Sequence, residues 1–165
     1  MKYPHLRFQS QLAWLFAVII LANTRLASGQ TPNFGTLKLS SGMKPMEQKV
    51  SGVTGGIYSL SIIRGRDKNK NVCIGFAESN PDYILVLEEN FNNLTILVNS
   101  SDKDTDTTLL IKGPDKETVR CGDDTGRSKD ASVSDKEWTK GTYQIWVGIS
   151  ERGLKRNYTL TVEQL

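Results

Sequence analysis

From residue 57 onward the chain runs in short segments in which apolar and polar residues alternate, each cut off by Gly, Pro, Asn or Asp. Leu94, Ile96 and Val98 fall on one side of NLTILVNS (93–100). Tyr143, Ile145 and Val147 do the same in GTYQIWVG (141–148), as do Tyr158, Leu160 and Val162 in NYTLTVE (157–163). A period of two marks an extended strand with one face buried. The same reading places strands over GTLKLS (35–40), KVSGV (49–53), IYSLSII (57–63), VCIGF (72–76), YILVLE (83–88), TTLLIKG (107–113) and ETVRC (117–121). Between them lie turn signals: the polar stretch RGRDKNKN (64–71), Asn80-Pro81-Asp82, and Gly113-Pro114-Asp115-Lys116. Eight or more short strands with no helical period predict an all-β antiparallel sandwich. Several strands are apolar on both sides, as expected where sheets pack. No segment repeats another and no low-complexity linker divides the chain, so a single domain over 30–165 is expected.

The first 29 residues break this pattern. Lys2 and Arg7 precede an uncharged apolar run, LAWLFAVIILA (12–22), and Ala27-Ser28-Gly29 supplies small residues for cleavage before Gln30. This is the layout of a signal peptide. The apolar run would make only about 16 Å of helix against the ~30 Å core of a bilayer, so a cleaved leader is expected rather than a membrane span. The expected destination is the periplasm or the exterior.

Removing the leader changes the chemistry. The whole chain carries 21 basic and 18 acidic residues, but Lys2, Arg7 and Arg25 lie in the leader with no acid among them. The exported chain is then balanced, and the basic pI gives no reason to expect nucleic acid as a partner. The basic turn Arg64, Arg66, Lys68 and Lys70 has no interleaved aromatics and reads as a solvated turn. The one histidine, His5, also leaves. Without imidazole there is no Ser-His-Asp or Cys-His mechanism and no His-ligated zinc. Cys73 and Cys121 each have one available partner in an oxidising compartment, so a disulfide is expected, two buried thiols being the alternative.

The series D106TTLLIKGPD, C121GDD, W138TKGTYQIWVG and N157YTLTVE, with Cys73 followed by Gly75, resembles the bacterial pre-peptidase C-terminal domain. The likeness extends upstream through L37KLSSGMKPMEQKVSGVTGG56. It implies a jelly-roll-like β-sandwich of secreted proteins, not itself catalytic, with calcium-stabilised relatives. The chain departs from that pattern after Asp124, where TGRSKDASVS brings Arg127 and Lys129 close to the acids.

Asp102, Asp104 and Asp106 precede one strand, and Asp123 and Asp124 follow the next. If those strands pair, the five carboxylates offer oxygen ligands to a hard cation such as Ca²⁺. The alternative is an acidic loop whose Asp side chains cap turns. The spacing is not that of an EF-hand, since Thr107 stands where its glycine belongs. Trp138 and Trp146 offer an aromatic platform for sugar or protein, or else fill the core. No catalytic residue is assigned and no cofactor is required beyond the candidate calcium. A carboxylate hydrolase would need two facing acids, and Glu88-Glu89 point to opposite faces if they continue a strand. The expected function is therefore a non-catalytic exported binding module for an envelope or extracellular protein or polysaccharide. The alternatives are that hydrolase, or a regulator of a separate secreted peptidase.

Overall fold

The computed structural model describes residues 30–40, 42 and 47–164. The leader expected over 1–29 lies outside the described residues. Among the described residues twelve strands form two sheets facing each other, as the alternation predicts. They are β1 (Gly35–Leu39), β2 (Glu47–Val53), β3 (Tyr58–Ser59), β4 (Phe76–Ala77), β5 (Tyr83–Leu87), β6 (Phe91–Ser100), β7 (Thr107–Lys112), β8 (Val119–Gly122), β9 (Asp124–Thr125), β10 (Ser128–Trp138), β11 (Gly141–Ile149) and β12 (Asn157–Glu163). The first sheet is built around β11, which pairs with β5, β7 and β4; β1 joins β5, β8 joins β7 and β3 joins β4. The second sheet runs β2-β12-β6-β10-β9. All pairs are antiparallel except β1 with β5.

The inward positions are those the period of two selects. Leu85, Leu109, Ile111, Tyr143, Ile145 and Val147 of one sheet meet Leu94, Ile96, Val98, Leu160 and Val162 of the other. Burying a side chain of this size contributes about 1.5–3 kcal/mol, and this layer supplies most of the apolar burial. Trp138 is fully buried at its rim, its ring 5.4 Å from that of Tyr143, with the Arg120 guanidinium stacked on it at 4.0 Å. Arg120 Nε donates to Asp135, which Lys68 also meets. Burial pushes the Asp135 carboxyl up, but the bonds from Lys68 and Arg120 outweigh it and hold the carboxyl below the ordinary range.

Two expected strands are different in the structure. IYSLSII gives only the two residues of β3 and then a 3₁₀ turn, Leu60–Ile62; VCIGF gives only the start of β4. Residues 60–75 instead form an excursion over the outer face of the β11 sheet. There Leu60, Cys73 and Ala77 pack with Leu110, Val119, Cys121 and Trp146 in a second, smaller apolar cluster. The apolar residues that suggested strands serve this irregular lid. Asp67 organises it: its carboxylate accepts from Asn69 N, Asn71 N and Nδ2, and Cys121 N at 2.8–3.1 Å. Gly75, at φ +93°, lies against Thr108, where a Cβ would collide with the threonine side chain. The expected disulfide is present, with Cys73 and Cys121 joined at 2.02 Å.

The strand β10 has no counterpart in the sequence reading. Its inward residues are Ala131, Val133 and Trp138, with charge between them, and Glu137 at φ +58° interrupts the alternation just before Trp138. Pairing with β6 decides its state.

Candidate functional site

The corner where β7 begins and β8 ends gathers charge. The β7–β8 hairpin pairs Leu109 with Gly122 and Leu110 with Cys121. Continued outward, that register sets Asp123 against Thr108 and Asp124 against Thr107, which brings both close to Asp106 just before β7. One carboxylate oxygen from each of these three lies within 4.8 Å of the others. The backbone fixes the group from two sides, since Ser132 N donates to Asp123 O and Ser150 N to Asp106 O. Asp106 and Asp123 are half-buried and Asp124 is exposed. Burial, then the charges of Asp124 and Asp106, push the Asp123 carboxyl above its ordinary value. A cation beside Asp123 would reverse that shift.

The sequence grouped five acids here, and the structure brings together three. Asp102 and Asp104 lie on the β6–β7 loop, both exposed. Asp102 Oδ1 accepts from Asp104 N at 3.1 Å, and Asp102 Oδ2 lies 3.7 Å from Arg156 Nε. That is the turn-capping role, realised by the Asp102 side chain. These two and Asp106 border a polar cavity of about 310 Å³ with Lys129, Glu151 and Arg156. Next to the three-acid corner, Asp123 and Asp124 border a second cavity of about 400 Å³ with Val72, Ile74, Cys121 and Ser132. Val72 and Ile74, on either side of the disulfide, are exposed.

Neither tryptophan forms a surface platform. Trp138 is 0 % exposed, with its indole N–H bonded to Asp135 O, and Trp146 is 3 % exposed in the outer cluster. Trp138, at the end of β10, belongs to the core between the sheets, and Trp146 of β11 to the cluster on the outer face of its sheet, so both rings are covered. Glu88 and Glu89 stand in the turn after β5, not on a strand.

Sequence reading missed Asp82. It precedes β5 at only 3 % exposure, accepting from Val147 N at 2.7 Å and from Asn33 Nδ2 at 3.2 Å. Burial raises its carboxyl to about 7. The sole sequence signal was Asn80-Pro81-Asp82, which reads as an ordinary turn.

A further cavity, of about 450 Å³, opens at the end of the sandwich beside Phe34, Tyr158 and the β6–β12 pair. Among the described residues no helix is long and apolar enough to cross a membrane.

No protein-family profile matches the chain, and no curated protein matches it in sequence. Among solved structures it is similar to the periplasmic inhibitor of g-type lysozyme, PliG, of Aeromonas hydrophila, at 12 % identity and a TM-score of 0.46, over 81 % of this chain and 98 % of that one. It is also similar to the pre-peptidase C-terminal domain of a collagenase from Bacillus anthracis, at 13 % identity and a TM-score of 0.49, over 82 % of this chain and 99 % of that one. The domain named there is the one that the sequence motifs resemble.

Proposed function

We propose that the chain is an exported, non-catalytic binding module whose corner of Asp106, Asp123 and Asp124 takes a calcium ion. The observation that carries the reading is the convergence of these carboxylates at one point, from two strand ends, with no basic side chain among the described residues paired to them. Hard oxygen donors in an irregular loop suit Ca²⁺, which tolerates variable geometry. A bound ion would tie the start of β7 to the β8–β9 connection and fix the adjoining Val72–Ile74 surface, which then serves as contact area for a macromolecule. The partner is a protein or polysaccharide of the envelope or exterior, a separately encoded secreted peptidase being one such protein. Asp82, whose carboxyl is raised into the neutral range, is enclosed and bonded to backbone, so its chemistry serves the fold rather than turnover.

The test is a thermal melt in EDTA and then in millimolar Ca²⁺. Ligand linkage gives an upward shift of a few degrees for the native protein and none for Asp123→Asn. Superimposable curves for the native protein remove calcium from the proposal.

A further inference from the structure

We propose that Asn33 and Phe34 form a pH-sensitive strap over one end of the sandwich, closed while Asp82 is protonated and released when it ionises. The strap is the stretch that leads into β1. Gly35, at φ +154° with nothing within 4 Å of where a Cβ would stand, is the joint between the two. Both strap residues are exposed, and the Phe34 ring rests on those of Tyr83 and Tyr158, at 5.6 and 6.4 Å.

Polar bonds to a single turn hold the strap down. Asn33 N donates to Pro81 O and Phe34 N to Asp82 O, both at 2.9 Å. The Asn33 side chain donates to Asn80 O and to Asp82 Oδ1, at 3.3 and 3.2 Å. On the far side, Asp82 Oδ2 accepts from Val147 N and Asp82 N donates to Ile145 O, each at 2.7 Å. Asp82 is thus clamped between the strap and β11. The two sides differ in strength. β11 pairs with three strands and sends Ile145 and Val147 into the inner core, whereas the strap is an exposed segment with few buried contacts.

The titratable groups that face Asp82 are Glu78, from the segment after β4, Tyr83 of β5 and Tyr158 of β12. The strap and β11 bring none, their residues at the carboxyl being Asn33, Phe34, Ile145 and Val147. Glu78 opposes a second negative charge. Burial pushes both tyrosine hydroxyls up, Tyr83 to about 12, so neither ionises near neutrality. No basic side chain among the described residues is paired with Asp82 to offset its burial.

A buried carboxylate that needs water will take it by the weaker side. Burial outweighs the bonds from Val147 N and Asn33 and raises the Asp82 carboxyl from 3.8 to about 7. Lifting the strap lets water in without parting β5 from β11, and the carboxyl returns toward its ordinary value. The closed strap is therefore fully favoured below about pH 4, loses that advantage as pH rises to 7, and changes little above it. Release takes Phe34 off Tyr83 and Tyr158, so pH sets how often this end of the sandwich is uncovered.

The protein, purified after expression of the full chain, is followed by NMR amide exchange from pH 5 to pH 8, with rates corrected for the intrinsic pH dependence of exchange. The opening constants of the Asn33 and Phe34 amides should rise about ten- to hundredfold and level off above pH 7. They should stay far above those of Val147 and the β12 amides and be insensitive to low urea, as local release requires. Asp82→Asn should abolish the rise, and Glu78→Gln should keep it. Should Asp82→Asn fail to fold, the carboxyl-carbon signal of Asp82 in the native protein decides, since its midpoint must coincide with the levelling of the strap. Asn33→Ala should raise opening already at pH 5. Strap amides that show no pH dependence overturn the proposal, as does a rise that survives Asp82→Asn or a carboxyl midpoint apart from the levelling. Opening constants and urea dependence shared with β12 overturn it too, because the whole domain would then be unfolding.

Discussion

The two apolar clusters on either side of the β11 sheet are built on different principles. The inner one lies between two regular sheets, and every strand that enters it brings a row of side chains already aimed inward. The outer one joins Leu110, Trp146, Val119 and Cys121 to an irregular excursion that brings little ladder hydrogen bonding of its own. It is closed by a disulfide and by one buried carboxylate, Asp67, that ties the turn to Cys121 N. Regular pairing stabilises many residues together, whereas a small cluster needs point attachments. The lesson is that losses in the inner layer should be global and losses in the outer one local.

The largest effect tests the inner layer. Trp138→Ala removes a fully buried ring and the surface on which Arg120 stacks, and should cost about 3–5 kcal/mol in chemical denaturation. The denaturant midpoint should fall for every probe together. A change confined to residues 60–75 would contradict the distinction.

Replacing Cys73 and Cys121 together by Ala should cost about 2–4 kcal/mol, much of it through the freed unfolded chain. Hydrogen exchange should then rise in the 60–75 excursion while amides of β6, β11 and β12 keep their order of protection. Asp67→Ala should act in the same place at about 1–3 kcal/mol, because Cys121 N and Asn71 N lose their acceptor.

pH should act on the inner assembly through Asp82. Its carboxyl is raised from 3.8 to about 7 by burial, so its protonated form is the one the fold favours. Stability from this group is present below about pH 4 and is lost as pH rises through 7. Between pH 5 and pH 8 the native protein should lose on the order of 2–3 kcal/mol from this source. Asp82→Asn, which keeps an acceptor for Val147 N, should flatten that slope in urea titrations. A slope unchanged by the variant would remove Asp82 as its cause.

The smallest effect is at the acidic corner. Without calcium, Asp123→Asn should raise stability by a few tenths of a kcal/mol, since it relieves repulsion from Asp124 and Asp106. A loss of stability in EDTA would mean that Asp123 serves the fold through bonds rather than opposing it through charge.

By itself the sequence determined the regular part of this protein. β5, β6, β7, β11 and β12 were legible because alternation is local: each strand carries its own record of which face is buried. The pairing of Cys73 with Cys121 was legible from their number. Tertiary structure decided everything that depends on what approaches from elsewhere in the chain. It made a strand of β10, whose inward side chains are too few to announce one, and it took strands away from IYSLSII and VCIGF to cover the outer face of β11. It chose three of five acids for the corner, buried both tryptophans, and left Phe34 exposed. The reason is physical: a side chain's period fixes its direction, but its burial, charge state and partners are set by residues distant in sequence, which no local pattern encodes.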